Sequence, residues 1–81
     1  MKILRKPDVK AASGWRSDAS VANAVRDGLL TKQISIGPRS VGWPDFEIDA
    51  INAARIAGKL DADIKALVIR LHAKRTELVT A

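Results

Sequence analysis

The stretch Ile34-Ser35-Ile36-Gly37-Pro38-Arg39-Ser40-Val41-Gly42-Trp43-Pro44 decides how the rest of the chain is read. Ile34 and Ile36 alternate with Ser35, and Val41 and Trp43 alternate with Gly42. Alternation with a period of two gives a strand one apolar side. Gly37-Pro38-Arg39-Ser40, between the two runs, is a cluster of turn residues. The stretch therefore reads as a β-hairpin over about 33–43. Ile34, Ile36, Val41 and Trp43 are expected against the core, and Arg39 at the tip. An arginine at a hairpin tip adds nothing to a core. It points at water or at a partner.

Upstream, the pattern is helical. Pro7-Asp8 opens a short helix, about Pro7 to Ala12. Proline fits the first helical position, where its missing N–H would have had no partner, and Asp8 meets the positive end of the helix dipole. Ser13-Gly14 ends it, glycine being free to turn left-handed. Ser17 is a good N-cap for a second helix, about Asp18 to Asp27, which stops at Gly28. Val21, Ala24 and Val25 give this helix an inner face. Ala19, Asn23 and Arg26 lie opposite, flanked by Arg16 and Ser20. Two short helices joined by a glycine-containing turn form a helix-turn-helix candidate, and a hairpin that follows one is a wing. Trp15, in the turn, either packs there or touches a partner.

Downstream, Trp43-Pro44-Asp45 opens a third helix with Ile48 and Ile51 as its buried stripe, ending at Gly58-Lys59. Asp61 caps a fourth, whose stripe is Ile64, Leu67, Val68, Leu71 and Leu78. This last helix either lies on the domain's own core or pairs with a second copy, since Ile64, Leu71 and Leu78 are seven apart. Arg75 interrupts one edge of the stripe. The expected organisation is a domain over 1–58 and a C-terminal amphipathic helix over 59–81.

The chain has 81 residues, enough for one domain of modest stability. Fourteen basic and nine acidic residues give a net charge of +5. Residues 1–43 hold eight basic and three acidic residues, whereas residues 44–81 hold six of each, so the whole excess lies in the first half. One-sided basic charge is the footprint of a phosphate-binding surface, although charge alone leaves a solubilising coat equally open. There is no cysteine, which excludes disulfides and thiolate metal sites. The opening Met1-Lys2-Ile3-Leu4-Arg5-Lys6-Pro7-Asp8 turns charged before a signal region forms. No apolar run approaches the ~20 residues of a membrane span. A soluble, intracellular protein is expected.

Asp45, Glu47 and Asp49 resemble metal ligands only superficially. They read as surface acids matched to a helix dipole. His72, the single histidine, reads as a surface residue beside the last stripe. No catalytic dyad, phosphate loop or activated nucleophile is present, so no enzyme, metal or cofactor is expected.

The residues carry a resemblance. Leu4-Arg5, Pro7-Asp8-Val9, a glycine turn, a short polar helix, Gly28 and then Ile36-Gly37-Pro38-Arg39-Ser40-Val41-Gly42-Trp43 before an acidic helix resemble the AlpA family of small phage and prophage regulators. That family is similar to the MerR-like winged helix-turn-helix and to phage excisionases. The resemblance covers residues 3 to about 57, and its most specific block is Ile36 to Trp43. Ile51 to Lys59 with the last helix resembles an extended subset of the family. It implies a mostly α fold with a small β-hairpin, a winged helix-turn-helix followed by an extra C-terminal helix. It implies binding to double-stranded DNA and transcriptional control of a prophage or mobile element. The second helix, about 17–27, would lie in the major groove and the wing on the backbone or minor groove. Ser17 and Ser20 match the polar start of the recognition helix, Val21 its inward aliphatic, and Arg39 the wing arginine. Ala22 stands where an aromatic is usual, and Asn23 where a basic residue is usual.

Arg16, Ser17, Ser20, Asn23 and Arg26 are thus the candidates for the major groove, and Lys32, Arg39 and Ser40 for the wing. Asn23 suits adenine and an arginine suits guanine. Lys2, Arg5, Lys6 and Lys10 would add phosphate contacts. Further partners open to such a protein are a second copy, a cooperative array along DNA, an integrase or RNA polymerase. Two other roles stay open: an excisionase that bends attachment-site DNA, and a protein-interaction module such as an anti-activator.

Overall fold

In a computed structural model, which describes residues 2–78, four helices surround a small antiparallel sheet. Strand β1 is Ile3–Leu4, followed by helices α1 (Lys6–Ser13) and α2 (Asp18–Arg26). Strands β2 (Ile34–Gly37) and β3 (Ser40–Pro44) form the hairpin. Helices α3 (Asp45–Ile56) and α4 (Asp61–Glu77) complete the chain. Residues 79–81 of the expected C-terminal segment lie outside the described residues.

The helix ends follow local chemistry. The Arg5 backbone N–H donates to the Asp8 carboxylate at 3.3 Å at the start of α1. Gly14, at φ 74°, turns the chain out of α1 in the left-handed conformation. Ser17 caps α2, its hydroxyl accepting the Ser20 N–H at 3.2 Å. A 2.7 Å ion pair between Lys10 and Asp18 ties α1 to α2. The hydrogen-bonded Lys10 ammonium holds the Asp18 carboxyl below its ordinary value.

The sheet order is β1-β3-β2, with β3 central. Ile3 pairs with Pro44 and Leu4 with Trp43, while Ile34 pairs with Gly42 and Ser35 with Val41. This register corrects the expected faces of the hairpin. Directly opposed residues share a face. Val41 and Trp43 therefore lie with Ser35 and Leu4, and the isoleucines lie on the other side with Gly42. Trp43 is fully buried, Ile34 is half-buried, and Ile36 is 42% exposed. The strand is irregular between Ser35 and Gly37, consistent with a bulge at Ile36.

Gly42 makes this outer layer possible. A Cβ built there meets Ile3 Cγ2 at 2.5 Å, the Leu4 carbonyl oxygen at 2.9 Å and Ile36 Cδ1 at 3.5 Å. Two side chains and a neighbouring backbone occupy the space that alanine needs. Gly42→Ala is expected to cost about 1–3 kcal/mol by overpacking. Urea denaturation read by tryptophan fluorescence checks this, and an unchanged midpoint would contradict the close approach.

The core gathers Val9, Val21, Ala24, Leu30, Trp43, Ile48, Ile51, Ile64, Val68 and Leu71 into one cluster. All four helices and β3 contribute to it, and α4 supplies Ile64, Val68 and Leu71. Leu78, expected on the same stripe, is 49% exposed because the helix has run past the core. Glu47, expected at the surface, is completely buried. Its carboxylate receives two bonds from the Arg75 guanidinium, Nε to Oε2 at 2.8 Å and Nη2 to Oε1 at 2.6 Å. Among the described residues, no helix is long and apolar enough to cross a membrane, and no cluster of three metal-binding side chains occurs.

Candidate nucleic-acid interface

The inner face of α2 is set by Val21 and Ala24, both buried. Asn23 and Arg26, turned away from it, are exposed, and Ser20 is half-buried. Arg16 and Ser17 are exposed immediately before the helix. Ser17 and Ser20 come together, their hydroxyl oxygens 3.0 Å apart, in addition to the capping bond. Arg26 Nε lies 3.1 Å from the Asp27 carboxylate, so a phosphate or base that takes this arginine must compete with a neighbouring acid. Both partners are largely exposed, and a pair of that kind contributes little to stability.

At the hairpin tip, Pro38 and Arg39 are exposed and Ser40 is half-buried. Arg39 has φ 59°, the only positive φ outside glycine among the described residues. Proline followed by a positive φ is the pattern of a type II turn, whose third position ordinarily belongs to glycine. For an L-residue with a Cβ the left-handed conformation costs about 1–2 kcal/mol. The Arg5 guanidinium reaches across to the tip region and donates to the Ser40 hydroxyl at 3.3 Å. The short β1 strand, which sequence patterns at two residues do not disclose, thus brings a second arginine beside the hairpin.

Lys32 has an exposed side chain but a fixed backbone. Its N–H donates to His72 Nε2 at 2.9 Å, and its carbonyl accepts from Arg75 Nη2 at 2.6 Å. The preceding carbonyl, of Thr31, accepts the Trp43 indole N–H at 2.7 Å. Residues 30–32 therefore form a strap between α2 and β2, with Leu30 and Thr31 buried. His72, expected to be a simple surface residue, is half-buried against this strap. Burial, then the neighbouring Arg75 guanidinium, pushes its pKa below the ordinary value. Neither Glu47 nor His72 was recognisable as part of this arrangement from local pattern. The available signal was Arg75 itself, a cation spaced at i+4 from Leu71 on an apolar stripe. A buried charge on a stripe demands a partner.

These features define a small helical domain with a polar helix face and an arginine at the tip of its hairpin. Its sequence agrees with that class. The chain belongs to the prophage CP4-57 regulatory protein (AlpA) family, whose model matches residues 2–56. It is also similar to an uncharacterized protein, ORF88, of Enterobacteria phage P4, with 34% identity over 58 residues. That match covers 72% of this chain and 65% of the phage protein, just under two thirds of its length. No solved structure matches the chain. Gly58 and the whole of α4 lie beyond the segment that the family model covers.

Proposed function

We propose that this regulator binds DNA sequence-specifically as a winged helix-turn-helix. Helix α2 enters the major groove and the β2–β3 hairpin acts as the wing. The observation that carries this reading is Arg39, held in a left-handed conformation at an exposed tip. A residue kept where glycine would be unstrained points to a use for its side chain. The basic excess of residues 1–43 supports the same reading, as does the polar outer face of α2. Arg16, Ser17, Ser20, Asn23 and Arg26 face the groove, with Asn23 reading a base and Arg26 released from Asp27 on binding. Lys32, Arg39 and Ser40 contact the backbone or minor groove, and Arg5 joins them through Ser40. In this reading α4 is an addition to the DNA-binding domain, and it packs on that domain's core.

Selection of duplexes from a random pool at near-physiological salt tests this reading. An enriched motif is the expected result, and its half-site spacing reports one, two or many copies. Steep salt dependence with no enrichment would overturn sequence specificity and leave an electrostatic surface for a protein partner. Strong bending of DNA carrying several repeats would direct the same interface toward an excisionase role.

Two variants separate the parts. Arg39→Gly is expected to weaken binding to all duplexes and to reduce the salt slope by about one. Its fold should be no less stable than the wild type, because relief of strain offsets the added backbone entropy. Asn23→Ala is expected to lose about 1–3 kcal/mol at one base position while affinity for random DNA holds. A salt titration on enriched and random duplexes measures both. An unchanged slope for Arg39→Gly would remove the wing assignment, and equal losses on both duplexes would remove the base-reading role of Asn23.

A further inference from the structure

We infer that His72 is a positioning residue for DNA recognition, acting through the backbone of Lys32. The inference rests on the DNA-binding reading above. Helix α4 takes hold of both backbone groups of one residue, the N–H through His72 Nε2 at 2.9 Å and the carbonyl through Arg75 Nη2 at 2.6 Å. Lys32 lies on the connection from α2 to β2, so its peptide sets how the proposed wing leaves the recognition helix. Leu30 and Thr31, anchored in the core just before it, leave this connection little other freedom. The two gripping side chains belong to the part of the chain outside the family-model match, residues 2–56. The grip is therefore a feature of this chain's C-terminal helix, added to the shared domain.

The bond has a definite direction. A backbone N–H only donates, so Nε2 accepts and the neutral ring carries its proton on Nδ1. A protonated ring has no acceptor left. Its cation would also face Arg75 on α4 and the Lys32 side chain, against the single opposing charge of Glu47 on α3. Glu47 is already occupied by both guanidinium bonds. Protonation thus breaks the hold on the Lys32 N–H and adds repulsion at the same place. A histidine whose folded pKa is lowered is stabilising in its neutral form. The contribution is fully present above the unfolded value, about 6.5, and is lost as pH falls through that value toward the folded one. Specific binding is a property of the folded chain, so it falls as pH passes below the lowered folded value, where the wing is no longer fixed relative to the helix.

The test uses the whole chain at constant salt, with a duplex enriched from the random pool and the unselected pool as control. Between pH 7.5 and a pH one unit below the His72 ring titration, read from the ring resonances of the free protein, the preference of the wild type for the enriched duplex is expected to fall by about tenfold, the equivalent of one such hydrogen bond. His72→Gln keeps an acceptor and does not titrate. It should hold the wild-type preference of pH 7.5 at both pH values. His72→Ala should show the weakened preference at both. In parallel, the Lys32 amide resonance of the free protein should move with the His72 ring titration in the wild type and stay still in His72→Gln. Equal pH dependence in wild type and His72→Gln would overturn the inference, and so would a flat wild-type profile or a Lys32 amide that ignores the ring. A wild type without any preference would overturn the DNA-recognition reading instead, and the amide titration would still decide whether the grip exists.

Discussion

Arg75→Ala is expected to destabilise the protein by about 3–5 kcal/mol, because it leaves the Glu47 carboxylate buried without its counter-charge. Glu47 is wholly buried, whereas the Arg75 side chain retains 20% of its exposure. The loss therefore falls on the group that has no access to water. A chain of 81 residues has only about 4–12 kcal/mol to lose. The loss is a large share of that total, and at the lower end of the range it unfolds the variant before urea is added. The same guanidinium also closes the Lys32 carbonyl, whose bond adds about 0.5–1.5 kcal/mol to the deficit. The pair is not intrinsically stabilising, however. Replacing both members with apolar residues, as in Glu47→Met with Arg75→Met, is expected to restore most of the stability, because neither charge then needs burying. The remaining shortfall should be close to the Lys32 bond alone. Urea midpoints of the two single variants and the double variant measure the coupling directly. A cost below about 1 kcal/mol for Arg75→Ala would assign this pair to the weak surface class and contradict its burial.

That pair also shows where sequence reading stops. Features set within a few residues were legible. The Ser17 cap, the Gly14 turn and the inner face of α2 depend on neighbours three or four positions away. Arg39 at an exposed turn is of the same kind. What was not legible depends on the approach of distant segments. Each strand of the hairpin shows its own alternation, but only the pairing of Ser35 with Val41 decides which alternation faces inward. A shift of one residue moves a whole set of side chains to the other face. The expectation that Ile34 and Ile36 join Trp43 in the core failed on that single choice. Glu47 failed for a related reason. An acid in the first turn of α3 satisfies the helix dipole wherever it points, so its burial under Arg75, 28 residues later, left no local trace. For the candidate interface, the exposed side of α2 and the hairpin tip followed from periodicity and turn chemistry. The approach of Arg5 to Ser40 and the hold of α4 on Lys32 required the folded chain.

Trp43 is where the hairpin, the strap and the core meet, and its substitutions are expected to separate volume from hydrogen bonding. It is the largest fully buried side chain among the described residues, on the central strand of the sheet. Trp43→Ala should cost about 3–5 kcal/mol through lost burial and an unfilled space. The domain's total stability is of the same order, so this variant is expected to be marginal or unfolded. Trp43→Phe keeps an aromatic ring but removes the indole N–H that closes the Thr31 carbonyl at 2.7 Å. Its cost should be smaller, about 1–3 kcal/mol, and much of it should come from a buried acceptor left without a donor. The location of the damage distinguishes the two effects. If the bond matters, Trp43→Phe loosens the strap at Thr31 and Lys32 first, and amide exchange there should quicken more than in α1 or α3. If only volume matters, exchange should quicken evenly across the core. Denaturation midpoints with residue-resolved hydrogen exchange separate these outcomes. A local effect at the strap would mean that the tryptophan holds from the hairpin side the same connection that α4 holds from the other.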